Sequence, residues 1–361
     1  MFNLICFVIM LPMIFSVPLL YVGMLGQRRQ EKGLLAMTVA VFVAVACWLL
    51  FGNQLAMGSA LLFGPASDFV AGLVQMDFYL YAIAMLIGTI VVTQGARYFM
   101  GFVPCWTLLV YCPLAYLLWN GHGWLNQIGA LDFSGGIVVH LTAGLASLVL
   151  AKQVQPNGDQ IIENDFRTKY SATLMIMIGW LGFNMAPAGG FNQLANQVLV
   201  NTLVAVMMAM VGWTLFAQFV TKRVEIDDLL NGIICGLVTS TTLVGYVTPL
   251  GIGLVTFVAG MACPAVIAKM NQSSRYYDAV DSFAINAIGG LVGTLGLILI
   301  KFITGFANPE QSSQFILAEC LAVFIAGVLT VVGTVISHQA GLLLSKKSSL
   351  ELNYQGETTN E

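Results

Sequence analysis

The stretch SATLMIMIGWLGFNMAPAGGFNQLANQVLVNTLVAVMMAMVGWTLFAQFVT, residues 171–221, contains no Asp, Glu, Lys or Arg. One helix crosses a ~30 Å hydrocarbon core with about 20 residues. The run is too long for one crossing, and Pro187, Gly189 and Gly190 interrupt it near its centre. It therefore reads as two membrane spans joined by a short turn. Two further runs of 19 uncharged residues lie between Asp132 and Lys152 and between Asp281 and Lys301. Extending the reading outward places spans near 4–25, 34–57, 69–93, 99–119, 132–151, 170–188, 197–221, 229–247, 250–268, 279–300 and 313–339. The expectation is an all-α integral membrane protein with eleven transmembrane helices.

Composition agrees. Of 361 residues, 58% are hydrophobic and 9% charged, with a mean hydropathy of +0.86. A soluble chain needs roughly 25% charged residues to clothe its surface. The net charge of −3 gives no reason to expect a nucleic-acid partner. Lys and Arg stay on the cytoplasmic side during insertion. Thirteen of the fourteen basic residues follow odd-numbered spans, Lys301 alone departing. That alternation predicts an N-terminus outside and a C-terminus in the cytoplasm of a cell (inner) membrane protein. The first apolar run lacks a preceding basic residue and a clean cleavage site, so it reads as a span rather than a signal peptide. The domain expected over 1–345 carries only a cytoplasmic loop from Lys152 to Lys169 and a short polar tail over 346–361. The seven cysteines lie mostly in apolar spans without CxxC spacing and read as core packers. No cofactor or metal is implied.

Of three histidines, His122 falls in an external loop and His338 at the inner end of the last span, both read as surface residues. His140 is the eighth residue of its 19-residue apolar run, ~12 Å below the outer surface at the helical rise. An ionisable group at that depth is a functional candidate, the alternative being an interhelical hydrogen bond that only packs the bundle. The tenth span runs the opposite way and enters near Asp278, which brings Asn286 to a similar depth. Each polar residue is followed four positions later by glycine and then leucine, Gly144-Leu145 and Gly290-Leu291. Five spans separate the two, so the pattern predicts a five-plus-five inverted repeat with a midplane site, followed by a final long helix.

Several segments resemble those of the ammonium transporter family (Amt/Mep/Rh). Asp132-Phe-Ser-Gly-Gly-Ile-Val-Val-His140 resembles the family's D-F-A-G-G-x-V-V-H, and Gly179-Trp-Leu-Gly-Phe-Asn184 its G-W-F-G-F-N. Asn231-Gly232 through Gly236-Leu237 is similar to N-G-x-x-x-G-L. Asp281-Ser-Phe-Ala-Ile-Asn286-Ala-Ile-Gly-Gly290 is similar to D-V-F-G-V-H-G-V-x-G, and the tail from Leu350 to Glu357 to L-D-x-x-x-H-G-E. The resemblance implies homotrimers with one pore per subunit, an external vestibule, a phenylalanine gate and two midplane histidines. It places Trp119 and Asp132 at the vestibule, where an indole face attracts ammonium by cation–π interaction. Trp119 also suits an interfacial anchor and Asp132 a helix N-cap. Phe78 resembles one gate residue. Aligning Val200-Asn201-Thr202 with the family's V-N-T puts Leu199 at the other. Asn286 stands where the family has its second histidine.

The resulting expectation is an ammonium/ammonia transporter or channel, with His140 and Asn286 in the pore and proton-coupled conduction weakened or altered. The alternative is an ammonium-binding sensor acting through a cytoplasmic partner such as a PII-class signal protein. Enzyme activity is not expected, since HExxH, GxSxG and paired intramembrane acids are all missing.

Overall fold

The computed structural model describes residues 1–22, 27–62, 64, 66–91, 93–153, 165–272, 281–305 and 309–358. Asp278, most of the Lys152–Lys169 loop and the last three residues of the tail lie outside that set.

The chain is a bundle of helices. They are α1 (Phe2–Val22), α2 (Gln27–Cys47, carried on through Trp48–Gly52 and Asn53–Met57) and α3 (Ala66–Ile87). Next come α4 (Ala96–Trp106, then Thr107–Tyr111 and Cys112–Trp119) and α5 (Gly136–Leu141, then Thr142–Ala151). They are followed by α6 (Phe166–Met185), α7 (Gln193–Phe216, then Ala217–Thr221) and α8 (Ile226–Ser240). The last three are α9 (Pro249–Asn271), α10 (Phe283–Ile288, then Gly289–Thr304) and α11 (Pro309–Thr358).

Among the described residues nine helices are long and apolar enough to cross a bilayer. The shorter α5 and α8, of 16 and 15 residues, complete the expected eleven spans. Both are short at the same end of the bundle, where the sequence predicts helix from 132 and to 247. Backbone left unwound at membrane depth must find partners inside the protein. Here the two frayed ends pair with each other: Ser134 N donates to Thr241 O at 2.8 Å and Phe133 N to Thr242 O at 3.3 Å. Buried amides close the remainder. Asn201 donates to the carbonyls of Val244 and Val247, both at 2.8 Å. Asn184 accepts from the Ser134 hydroxyl at 2.8 Å and donates to Thr202 and Ser240.

Helix α11 continues to Thr358, past the boundary expected at 345. Once a long span has nucleated a helix, each further residue adds a hydrogen bond at little cost. His338 also departs from its surface reading: it is 6% exposed, and its Nδ1 lies 2.8 Å from the Tyr98 hydroxyl.

The inverted repeat brings α5 and α10 together at the centre. Each opens with a six-residue π-helical turn, Gly136–Leu141 and Phe283–Ile288, a distortion frequent at functional sites. The two glycines that the sequence repeats sit against the opposite turn. A Cβ on Gly144 would overlap the backbone of Ala287, and one on Gly290 would overlap the Gly136 carbonyl. The crossing is therefore closest where the polar residues lie.

Candidate functional site: a polar pair between two cavities

His140 and Asn286 are carried on the two π-turns and meet there. His140 Nδ1 lies 3.0 Å from Asn286 Oδ1, and the residues are 0% and 4% exposed. The Asn286 amide nitrogen donates to the Ser282 hydroxyl at 3.2 Å, one turn back on α10. His140 Nε2 has no partner among the described residues. Aromatic rings pack round the imidazole. Trp180 stacks on it at 5.2 Å and 6°, while Tyr81 meets it edge-on at 6.0 Å.

Above the pair, on the side of the short helix ends, lies an open cavity of about 430 Å³ lined by Asn53, Ser59, Gln75, Phe78, Trp119 and Phe133, among others. The Trp119 indole donates to the Asp132 carbonyl at 2.8 Å, which fixes the ring in the cavity wall. Asp132 is buried, and its carboxylate accepts from Ile137 N at 3.1 Å and Val138 N at 2.9 Å. The acid thus caps the first turn of α5, the helix that carries His140.

The ring against Phe78 is Phe183, at 4.3 Å between centroids; Phe183 in turn lies 6.1 Å from His140. Trp119 also contacts Phe78, at 5.5 Å. The sequence reading put Leu199 opposite Phe78. Leu199 is half-buried on α7 and does not line the cavity. Phe183 was visible in the segment Gly179–Asn184, three residues after Trp180, so that both rings share one face of α6.

Below the pair, Asn286 and Tyr81 line a second, narrow cavity of about 30 Å³, with Lys169, Asn231 and Ile285. Lys169 forms an ion pair there with Asp227 at 2.7 Å.

A helical bundle with a polar pair walled off between two cavities is the architecture of a channel or transporter for a small solute. The sequence matches the Ammonium Transporter Family over residues 1–358, and the chain belongs to that family. It is a multi-pass membrane protein of a transporter and channel family, not an enzyme. A putative ammonium transporter of Methanothermobacter thermautotrophicus is 28% identical, with 95% of this chain and 90% of that one covered. An ammonium transporter of Bacillus subtilis is 29% identical over 74% and 72%. The fold resembles that of Saccharomyces cerevisiae Mep2 at a TM-score of 0.80, with 22% identity, covering 92% of this chain and 86% of that one. It also resembles a structure titled Sensor Amt Protein at 0.85, with 21% identity and 96% and 92% covered.

Proposed function

We propose that the chain conducts ammonium nitrogen as uncharged ammonia, slowly and without net charge. The observation that carries this reading is the 3.0 Å contact of His140 with an amide rather than a second imidazole. A charged ion stripped of water in an apolar passage costs many kcal/mol, whereas neutral ammonia meets a far smaller barrier. Moving the charge separately requires a group that takes a proton on one atom and releases another. Imidazole does this near neutral pH; an amide only donates and accepts hydrogen bonds. Asn286, the side chain bonded to His140, has no titratable proton to exchange with it.

In this reading ammonium is gathered in the outer cavity against Trp119, whose π-face favours a cation. It gives up its proton to water on the open side of the Phe78–Phe183 ring pair, and ammonia passes His140 and Asn286 to the inner cavity. Asp132 acts by holding α5 in place.

Methylammonium uptake and membrane current in proteoliposomes test the proposal. Wild type is expected to show slow uptake with no current, and Asn286→His to gain current. Robust electrogenic ammonium current in wild type, unchanged by Asn286→Ala, would overturn it. The sensor reading gives a different result in the same assay: ammonium binding with no uptake in wild type. We further propose a homotrimer with one pore per subunit, to be checked by the mass of the solubilised protein. Docking of a PII-class signal protein at the cytoplasmic face is a proposal of the same kind, checked by pull-down on inverted vesicles.

A further inference from the structure

Two departures from the resembled family segment lie one helical turn apart on α10: Ser282 where that segment has valine, and Asn286 where it has histidine. They are bonded to each other at 3.2 Å, and Ser282 is 1% exposed.

An amide can face His140 with either end. With its oxygen toward Nδ1, the ring must carry its proton on Nδ1; with its NH2 toward Nδ1, the proton must sit on Nε2. The hydroxyls below decide between these. Ser147 on α5 reaches Ala143 O at 2.9 Å and Ser282 Oγ at 2.9 Å. Ser282 in turn reaches Met85 O at 3.5 Å. Ser147 has a single hydroxyl hydrogen and donates it to Ser282 Oγ. The Ser282 hydrogen is then directed at Met85 O, and the remaining Ser282 lone pair accepts from the NH2 end of Asn286.

We propose that Ser282 is a positioning residue of the conduction site: its hydroxyl turns the Asn286 carbonyl toward His140, locking the ring as the Nδ1–H tautomer with Nε2 as its single acceptor. A fixed acceptor suits a solute that arrives as an N–H donor, ammonia or methylamine. The inference rests on the reading of this pair as the conduction site, but its test does not depend on flux.

Long-range 1H–15N spectra of histidine-labelled protein in nanodiscs report the tautomer directly. There are three histidines, and the His140 signals are those lost in His140→Ala. The expected wild-type spectrum shows a neutral His140 protonated at Nδ1. Ser282→Val, which frees the amide to rotate, is expected to give Nε2–H or a mixture, and Ser282→Thr to restore the wild-type pattern. Protonation at Nε2 in the wild type, or an unchanged Nδ1–H tautomer in Ser282→Val, overturns the proposal. The wild-type spectrum is decisive by itself should Ser282→Val fail to fold. A wild type with the expected tautomer but no ammonia flux would sink the conduction reading while leaving the role of Ser282 intact.

Discussion

Phe183 packs against Phe78 at 4.3 Å and Trp180 at 5.4 Å. Aromatic pairs of this kind gain roughly 0.5–1.5 kcal/mol beyond their buried area, so the ring cluster is held together by its own packing. Truncating Phe183 to alanine removes one of its rings and leaves a cavity above His140. A buried Phe→Ala change costs about 3–5 kcal/mol in soluble cores, so a clear fall in melting temperature in detergent is expected. The functional effect is expected to be larger: water reaches His140, methylammonium uptake rises, and potassium begins to pass. Uptake and potassium flux unchanged from wild type would remove Phe183 from the gate. The residue-level site was legible in part. His140 and Asn286 stood out because polar side chains in an apolar run are expensive. Phe183 did not, because a phenylalanine among apolar residues carries no such mark. Only its three-residue offset from Trp180 tied it to one helix face.

Helices α5 and α8 show what a local capping change does to the site. Asp132 sits four residues before the π-turn of α5 and accepts from two of its amides. Leaving a buried N–H without a partner costs about 1–3 kcal/mol, so Asp132→Ala is expected to destabilise by roughly 2–4 kcal/mol. Asp132→Asn retains an acceptor oxygen and is expected to lose much less. Melting temperatures of the two variants in detergent check this; equal losses would mean that charge, rather than capping, is what Asp132 supplies. Sequence periodicity located both elements and missed their form. Residues 241–247 are apolar enough to pass for helix. What unwinds them is the supply of partners elsewhere: Asn201 and Asn184, residues of the V-N-T and G-F-N segments, hold the turn backbone and the adjoining hydroxyls. The π-turns were equally invisible, since one inserted residue barely disturbs a span that is apolar on every side. The repeated glycines were visible as a pattern. Their reason, backbone-to-backbone approach of α5 and α10, belongs to the packed molecule.

Across the whole molecule, contacts between distant segments define two ends independently of charge. At one end the starts of α6 and α8 are joined by Lys169–Asp227, and Tyr98 near the start of α4 is bonded to His338 on α11. At the other, Leu131 N donates to Glu319 at 2.7 Å, and Lys301 lies 6.0 Å from the Tyr246 ring centroid. Lys152, Lys169, Lys222 and Lys269 fall at the first end, at helix termini that follow odd spans or open even ones, and Lys346 lies there on α11 beyond His338. Lys301 alone of the described lysines falls at the second, half-exposed and near the face of Tyr246. Basic residues resist translocation during insertion, so the first end should be cytoplasmic, which also makes the 430 Å³ cavity with Trp119 the external one. Single cysteines in a cysteine-free background test this in intact cells. His122→Cys, exposed three residues after the cavity-lining Trp119, is expected to react with a membrane-impermeant maleimide. Lys152→Cys, exposed at the opposite end, is expected to react only after the membrane is permeabilised. The reverse pattern would turn the molecule over and make the narrow cavity beneath Asn286 the entrance.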